Sequence, residues 1–266
     1  MDNRPIGILD SGLGGLTSVW ELHKRLPEER VIYYGDTART PYGSKSPETI
    51  VKFANQLVDR LIACNTKMII IACNTITAWA LDDLREKHPA IPIIGVIGPT
   101  VRKVVFDGVE SVGVIATKGT IGSDMYGKSL RKIKPDIKVS SMACPAIVPL
   151  IEEGLTDTDI MELTIKHYMD DFVSEGDFED LILGCTHYPL VSGQLKKLYP
   201  NLRLYSSSAE VVAQAKEIMQ EKEMLAAGSE FTDRYYASDL SDNFINLTDK
   251  LFEGTDFKIH LLKLEE

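Results

Sequence analysis

Two cysteines in this sequence lie in segments that resemble each other. The first segment, Met68–Thr75, reads MIIIACNT, and the second, Asp180–His187, reads DLILGCTH. Each is a short apolar run typical of a buried strand, followed by a small residue, a cysteine and residues suited to opening a helix. If the two segments pack face to face, Cys73 and Cys185 point at each other across a cleft. Two thiols on opposite sides of a carbon atom can remove a proton from one face and return one to the other, which is the chemistry of a racemase that needs no cofactor.

A second pair of segments indicates that a whole α/β unit is duplicated. Ile6–Ser11 reads IGILDS, and Val112–Thr117 reads VGVIAT. Cys73 and Cys185 are 112 residues apart, and Ser11 and Thr117, which end the second pair of segments, are 106 apart. The two offsets are therefore similar. Catalytic residues in open parallel sheets lie at the carboxyl ends of strands. Such ends are the expected positions of Cys73, Cys185, Asp10, Ser11 and Thr117.

The two halves differ in the titratable residue beside each cysteine. Asp10 has no counterpart in the second half, where Ala116 stands, and His187 aligns with Thr75 in the first. Each thiol therefore has its own neighbour, a carboxylate on one side and an imidazole on the other. Two simpler interpretations stay open, because Asp10 could cap a helix and His187 could make a structural hydrogen bond.

The other two cysteines fit structural roles. Cys64 lies near the end of an amphipathic helix and Cys144 precedes a proline, and buried cysteine commonly packs as a small hydrophobic residue. Beside Cys73 and Cys185, a helix amino end is expected to stabilise the thiolate and to lower the thiol pKa from about 8.5. Thr75 is the predicted cap of the helix after Cys73.

Two other ligand-binding functions are compatible with these residues. A zinc site is one, and its four ligands would be Cys73, Cys185, His187 and Asp10. The other is suggested by residues 10–15, DSGLGG, which resemble a phosphate-binding loop but lack the third glycine of the dinucleotide pattern and the lysine of the P-loop. We therefore interpret these glycines as allowing close backbone approach to a small ligand.

Composition limits the class of protein. The 266 residues are 44% hydrophobic and 26% charged, as in ordinary globular proteins, and the net charge is −10. This charge argues against nucleic acid or anionic lipid as a partner, because both require basic patches. Since no apolar run is long enough to span a membrane, no signal peptide pattern opens the chain and no C-x-x-C pair occurs, we expect a reduced cytoplasm with free thiols.

Strand-like apolar runs alternate with helical periodicity along the chain, which predicts parallel α/β domains. Strands are predicted near residues 5–10, 30–35, 67–72, 92–96, 111–116, 137–141, 179–184 and 202–205. Helices are predicted at Leu16–Leu26, Glu48–Ala63, Ile76–Lys87, Thr120–Ile133 and Thr158–Val173, then after a cap at Ser207–Glu210. The tail from Thr232 to Leu262 is predicted to form a strand, a helix at Asp239–Phe252 and a strand. On this basis residues 1–97 plus 207–266 form a first domain and residues 98–206 a second.

Five short motifs together resemble the signature of bacterial glutamate racemases, within the aspartate/glutamate racemase superfamily. They are DSGLGGLT from Asp10, GDTAR from Gly35, PYG from Pro41, ACNT from Ala72 and LGCTHYP from Leu183. They occur in order from the first strand to Pro189, which makes the resemblance specific.

The resemblance implies two α/β domains with pseudo-twofold symmetry and the active site at their interface. It also implies interconversion of L- and D-glutamate without metal or other cofactor, which supplies D-glutamate for peptidoglycan. We further expect a homodimer. Cys73 would serve the α-proton of D-glutamate and Cys185 that of L-glutamate. Asp10 would assist Cys73, while His187, oriented by Glu152, would assist Cys185. The implied substrate-binding positions are Asp10, Ser11, Pro41, Tyr42, Gly43, Asn74, Thr75, Thr117, Thr186 and His187.

Two rival functions share these features. A superfamily relative acting on aspartate, a hydantoin or a malonate would keep both cysteines, and only contacts to the distal carboxylate would distinguish it. A two-lobed ligand-binding module would have the same architecture, but it normally carries an export signal.

Overall fold

The computed structural model describes residues 1–228, 232–255 and 257–264. Across these residues the strands form two sheets, and every strand pairing in both sheets is parallel. The strands are β1 Ile6–Asp10, β2 Val31–Gly35, β3 Met68–Ile71, β4 Ile93–Gly95, β5 Ser111–Ala116, β6 Lys138–Ala143, β7 Asp180–Gly184, β8 Arg203–Ser206, β9 Arg234–Ala237 and β10 Ile259–Leu261. The predicted fold class, two parallel-sheet α/β domains, is confirmed.

Strand order repeats between the two sheets. The first sheet has the order β10-β9-β2-β1-β3-β4, and the second has the order β6-β5-β7-β8. The run β2-β1-β3-β4 therefore corresponds to β6-β5-β7-β8, with β1 equivalent to β5 and β3 to β7. The central strands β1 and β3 are completely buried, and β5 and β7 are buried after their first residue, as expected for parallel sheets covered on two faces.

Helices follow the strands in alternation. They are α1 Leu16–Arg25, α2 Pro47–Ala63, α3 Asn74–Lys87, α4 Ile97–Phe106, α5 Lys118–Ser123, α6 Met125–Ile133, α7 Ile147–Glu152, α8 Asp159–Ser174, α9 Ser192–Leu198, α10 Ser207–Glu221 and α11 Asp242–Leu251. Short 3₁₀ helices lie at Thr37–Arg39, Tyr42–Ser44 and Tyr188–Val191. The start of α2 follows from its local sequence. The Ser46 side chain accepts a hydrogen bond from the Thr49 N–H, and Pro47 is the first residue of the helix.

Several predicted helix boundaries are wrong. The single helix expected at Thr120–Ile133 is two helices, because Asp124 takes a left-handed conformation with φ of 52° between α5 and α6. The serines at 207 and 208 lie inside α10 and make no cap hydrogen bond. Helices α4, α7 and α9 were not predicted, and α4 begins within the stretch expected to be a domain boundary.

One hydrophobic core continues from the first sheet to the second. It includes Ile8 of β1 and Val114 of β5, together with Val104 of α4 and Val212 of α10. The helices α4 and α10 follow the equivalent strands β4 and β8 and pack against each other. Burying each such side chain contributes about 1.5–3 kcal/mol, so this shared core fixes how the two carboxyl edges face each other.

The strands near the carboxyl terminus belong to the first sheet. β9 pairs with β2, and β10 pairs with β9, as expected for a first domain built from both ends of the chain. The boundaries 1–97 plus 207–266 and 98–206 stay a prediction, and residues 229–231, 256 and 265–266 lie outside the described part. In that described part, no helix is long and apolar enough to span a membrane.

Candidate active site

The carboxyl ends of equivalent strands from the two sheets meet at a narrow cleft. Cys73 follows β3 and Cys185 follows β7, so each sheet supplies one thiol to this cleft. The lining residues are Ser11, Thr40, Pro41, Tyr42, Gly43, Cys73, Asn74, Thr75, Thr117, Val148, Gly184, Cys185, Thr186 and His187. The structure therefore brings together the predicted site residues, except that Asp10 and Glu152 are not part of the lining: Asp10 is completely buried and Glu152 lines a neighbouring cavity.

Cys73 lies immediately before the amino end of α3 and is 6% exposed. Its Sγ atom is 3.5 Å from Oγ of Ser11. Burial, reinforced by the nearby Asp10 carboxylate, raises the pKa of the Cys73 thiol to about 12, although hydrogen bonds from Ser11 and the Ile76 backbone act in the opposite direction. The expectation of a lowered thiol pKa is therefore wrong for Cys73, because desolvation outweighs the helix terminus.

Asp10 is completely buried at the end of β1. Its Oδ2 atom accepts hydrogen bonds from the N–H groups of Gly12, at 3.1 Å, and Gly15, at 2.9 Å. Both N–H groups precede Leu16, the first residue of α1, so Asp10 holds the loop before the helix and does not cap the helix itself. Among the residues that the structure describes, Oδ1 has no hydrogen-bond partner. Burial raises the pKa of the carboxyl group, while the charge of His187 lowers it. A buried carboxyl group with one free oxygen is able to exchange a proton.

His187 joins the second thiol to a carboxylate. Its Nδ1 atom lies 3.8 Å from Sγ of Cys185, and its Nε2 atom lies 3.1 Å from Oε1 of Glu152. Burial lowers the pKa of the imidazole, but hydrogen bonds to Cys185 and Glu152 outweigh burial and raise the pKa to about 10. His187 is therefore protonated at neutral pH and can donate a hydrogen bond to each partner.

Two glycines of the cleft allow the domains to approach each other. A Cβ atom at Gly14 would overlap Oγ1 of Thr186 and come within 2.5 Å of Nδ1 of His187. A Cβ atom at Gly43 would lie 2.7 Å from Cβ of Thr117. Real Cβ atoms do not come so close, so Gly14 serves contact between the two domains. That the glycines of this loop allow close approach of a ligand stays a prediction.

Asn74 is held by its side chain between the domains. Its Nδ2 atom donates to Oγ of Ser207 at 3.2 Å, and its Oδ1 atom accepts from the hydroxyl of Tyr126 at 2.7 Å. These bonds use one of the two N–H groups of the amide and one lone pair of its oxygen, so the side chain is oriented and still has a donor for a ligand.

Three threonine hydroxyls form a cluster at one end of the cleft. Oγ1 of Thr75 lies 3.0 Å from Oγ1 of Thr117 and 3.2 Å from that of Thr120. The predicted helix cap is wrong, because Thr75 lies within α3 and its hydroxyl does not cap the helix. Near the other thiol, Thr186 uses its backbone oxygen to accept a hydrogen bond from Thr17 at 3.3 Å. Because a hydroxyl can rotate to donate or accept, the cluster suits a carboxylate ligand.

Sequence reasoning missed three lining residues. Thr40 and Gly184 adjoin motif residues, and their positions beside Pro41 and Cys185 were signal enough to include them. Val148 lies on α7, a helix that was not predicted, so nothing in the sequence pattern placed it near the cleft.

Within residues 1–228, 232–255 and 257–264, no group of three or more histidine, cysteine, aspartate or glutamate side chains is arranged to hold a metal ion. The four side chains of the zinc hypothesis share the region of the cleft but do not form such a group.

This fold and this site define an enzyme class in which two parallel α/β domains each supply one thiol to a shared cleft. The model of the Asp/Glu/Hydantoin racemase family matches residues 19–215. The chain belongs to that family, and the resemblance indicated by the motifs is confirmed.

Full-length relatives agree with this assignment. A glutamate racemase of Persephonella marina is 43% identical over 98% of this chain and 96% of its own length. One from Geobacter metallireducens is 39% identical over 98% of this chain and 97% of its own length. The crystal structure of glutamate racemase from Francisella tularensis, in complex with D-glutamate, is 40% identical, covers 100% of this chain and 99% of its own, and has a TM-score of 0.93.

Proposed function

We propose that this chain interconverts L- and D-glutamate by a two-base mechanism in which Cys73 and Cys185 act on opposite faces of Cα. The observation that carries the proposal is that the two thiols line one cleft from opposite sheets. The choice of glutamate is supported by the names of relatives that match nearly the whole chain.

The surroundings of the two thiols support the proposed roles. Burial holds Cys73 as a neutral thiol, which is the form of a proton donor. Cys185 has the His187 imidazole beside it at 3.8 Å, and this group can exchange a proton with the thiol. We assign Cys185 to the α-proton of L-glutamate and Cys73 to protonation of the other face. The reverse direction requires both protons to move.

Removal of the α-proton needs help from the surroundings, because this proton is far less acidic than a thiol. The narrow, buried cleft excludes water, which strengthens each fixed dipole that acts on the developing negative charge. Asp10 supports this chemistry as a proton exchange partner of Cys73 and as a counter-ion for the substrate ammonium. Glu152 supports it by orienting and charging His187.

Substrate carboxylates would be held by local groups, because the net charge of −10 repels an anion at long range. The hydroxyls of Ser11, Thr75 and Thr117 are suitable donors, as are the backbone N–H groups that open α3. The remaining proposed contacts line the same cleft and are Pro41, Tyr42, Gly43, Asn74, Thr186 and His187.

The wider role is proposed from the family resemblance. We expect the enzyme to be a cytoplasmic homodimer that needs no cofactor. The D-glutamate that it makes would be used for peptidoglycan. Free cysteines at all four positions suit a reduced compartment.

A chiral assay tests the proposed function directly. Purified protein should convert L-glutamate to a racemic mixture without added cofactor, should keep that activity after dialysis against a chelator, and should act on L-aspartate far more slowly. Preference for aspartate would overturn the choice of substrate, and loss of activity on chelation that zinc restores would overturn the mechanism.

A further inference from the structure

The segment 36–44 carries Thr40, Pro41, Tyr42 and Gly43 into the cleft, yet it is irregular chain with two short 3₁₀ helices. Such a segment has few hydrogen bonds of its own, so other parts of the protein must hold it in place. Its first residue, Asp36, is completely buried at the end of β2.

The Asp36 carboxylate binds three side chains. Its Oδ2 atom accepts hydrogen bonds from the hydroxyl of Tyr42 and, at 2.6 Å, from Nε of Arg39. Its Oδ1 atom accepts one from the hydroxyl of Ser238 at 2.9 Å. Two of these partners belong to the segment itself, while Ser238 directly follows β9. Because hydrogen bonds to a charged group are about twice as strong as neutral ones, Asp36 is a firm anchor.

A second set of bonds joins the same two stretches of chain. Oγ of Ser238 accepts a hydrogen bond from the Ala38 N–H at 2.9 Å. The Thr37 hydroxyl donates to the backbone oxygen of Asp239 at 2.5 Å and accepts from the Asp239 N–H at 2.7 Å. Residues 36–38 and 238–239 are thus joined at several points, and we call this set of contacts the β9 clamp.

The β9 clamp also lies beside a second cavity that adjoins the cleft. A neighbouring cavity is lined by Thr37, Asp239, Thr40 and Glu152. Thr40 lines the cleft as well, and Glu152 contacts His187 inside it. A displacement of the clamp would therefore move both the segment that lines the cleft and the wall of the adjoining cavity.

Tyr42 shows how the clamp reaches the substrate. It lines the cleft, and its hydroxyl donates a hydrogen bond to Asp36, so one residue belongs both to the cleft and to the clamp. The next residue, Gly43, lies directly against Thr117 of the other domain. The backbone groups of residues 41–43 are consequently held between the clamp on one side and the second domain on the other.

We propose that Asp36 and Ser238 are positioning residues for substrate binding, and that the end of β9 is thereby part of the binding apparatus. This inference rests on the proposed function only for its kinetic readout. The clamp sets where the backbone of residues 41–43 lies, and it contributes to affinity by ordering that segment before substrate arrives.

Ser238→Ala tests this inference, because it removes the hydroxyl that links the two stretches and leaves Arg39 and Tyr42 on Asp36. We expect KM for glutamate to rise about fivefold with kcat changed less than about twofold, which corresponds to about 1 kcal/mol of binding free energy. Hydrogen–deuterium exchange at the Ala38 amide should become faster, and this readout is independent of catalysis. Asp36→Asn should raise KM further, because it removes the charge that Arg39, Tyr42 and Ser238 bind. Ser238→Thr should keep KM near the wild-type value, because it retains the hydroxyl.

Thr248→Val is the matched control. Thr248 is a buried residue of α11 whose hydroxyl bonds the Ile245 backbone within its own helix, so its loss costs similar stability without touching the clamp. The inference is overturned if Ser238→Ala leaves both KM and exchange in residues 37–44 unchanged, or if Thr248→Val raises KM equally. Absence of glutamate racemisation in the unmodified protein would instead overturn the proposed function. The exchange measurement would still show whether Ser238 holds residues 37–44 in place.

Discussion

Gly14 and His187 meet across the domain interface, so closely that a Cβ atom at position 14 would come within 2.5 Å of the imidazole Nδ1. The same Nδ1 atom lies 3.8 Å from the sulfur of Cys185. A glycine in the first domain therefore fixes the position of the imidazole that serves the thiol of the second domain. This relationship couples domain packing to catalysis, and it is the basis of the first prediction.

Gly14→Ala should inactivate the enzyme without unfolding it. The added methyl group would displace His187, and a misplacement of about 1 Å can reduce the rate about 100-fold. We expect kcat/KM for glutamate to fall at least that much, with the circular dichroism spectrum unchanged. Gly193→Ala is the control, because a Cβ atom there meets nothing within 4 Å. Equal activity of the two variants would contradict the assigned contact.

Glu152→Gln should shift the pH dependence of the enzyme. The Glu152 carboxylate helps to raise the pKa of His187 to about 10, so its neutralisation should lower that pKa and move the alkaline limb of kcat/KM toward neutral pH. NMR titration of the imidazole would measure the same change directly. Glu153→Gln is a matched control, since that carboxylate accepts a hydrogen bond from Asn243 instead. An unchanged pH profile in Glu152→Gln would show that this carboxylate does not charge His187.

Stability should fall as pH rises from neutral. The pKa of His187 is raised from 6.5 to about 10, so the stabilisation from its bound proton is complete below pH 6.5 and is lost as pH rises toward 10. The pKa of Cys73 is raised from 9.0 to about 12, so above pH 9.0 the unfolded chain gains further by ionising this thiol. Urea unfolding at pH 6.5, 8 and 10 measures the slope. His187→Asn should make it shallower between pH 6.5 and 10, and an identical slope would argue that His187 carries no raised pKa.

The sequence was sufficient to predict the paired thiols, and the reason is physical. Parallel strands put their carboxyl ends at one edge, so the strand pattern placed each thiol at the edge of its own sheet, and the duplicated segments indicated that the two edges face each other. The prediction of a lowered thiol pKa failed at Cys73, because a helix amino end contributes only about 0.3–1 kcal/mol and cannot offset complete burial. Burial depends on how two domains close, which no local pattern records.

Contacts between distant parts of the chain were also beyond prediction. Asp36 and Ser238 are 202 residues apart in sequence, and no repeat or spacing connects them. Likewise, the break at Asp124 depends on a left-handed residue within a sequence that is otherwise periodic enough for one helix. The motif residues, Asp36 among them, could be named from the sequence, but the contact between Asp36 and Ser238 could not.

Replacement of either cleft thiol by a hydroxyl should abolish racemisation. Cys73→Ser and Cys185→Ser each substitute a far weaker acid, so each should retain less than about a tenth of the wild-type turnover, a loss of more than 1.4 kcal/mol in barrier. Cys64→Ser should keep full activity, because Cys64 lies at the end of α2 and outside the cleft. Substantial turnover in either cleft variant would rule out a two-base mechanism.

The most direct test of the two-base mechanism is racemisation of L-glutamate in deuterated water, followed by optical rotation and by the deuterium content at Cα of each separated enantiomer. Because the proton that is added comes from the thiol opposite the one that removes it, newly formed D-glutamate should carry deuterium while recovered L-glutamate initially keeps its protium. Optical rotation should decay to zero at the rate at which deuterated D-glutamate appears. D-glutamate that forms without deuterium, or deuterium that enters recovered L-glutamate equally fast from the start, would contradict the assignment of one thiol to each face.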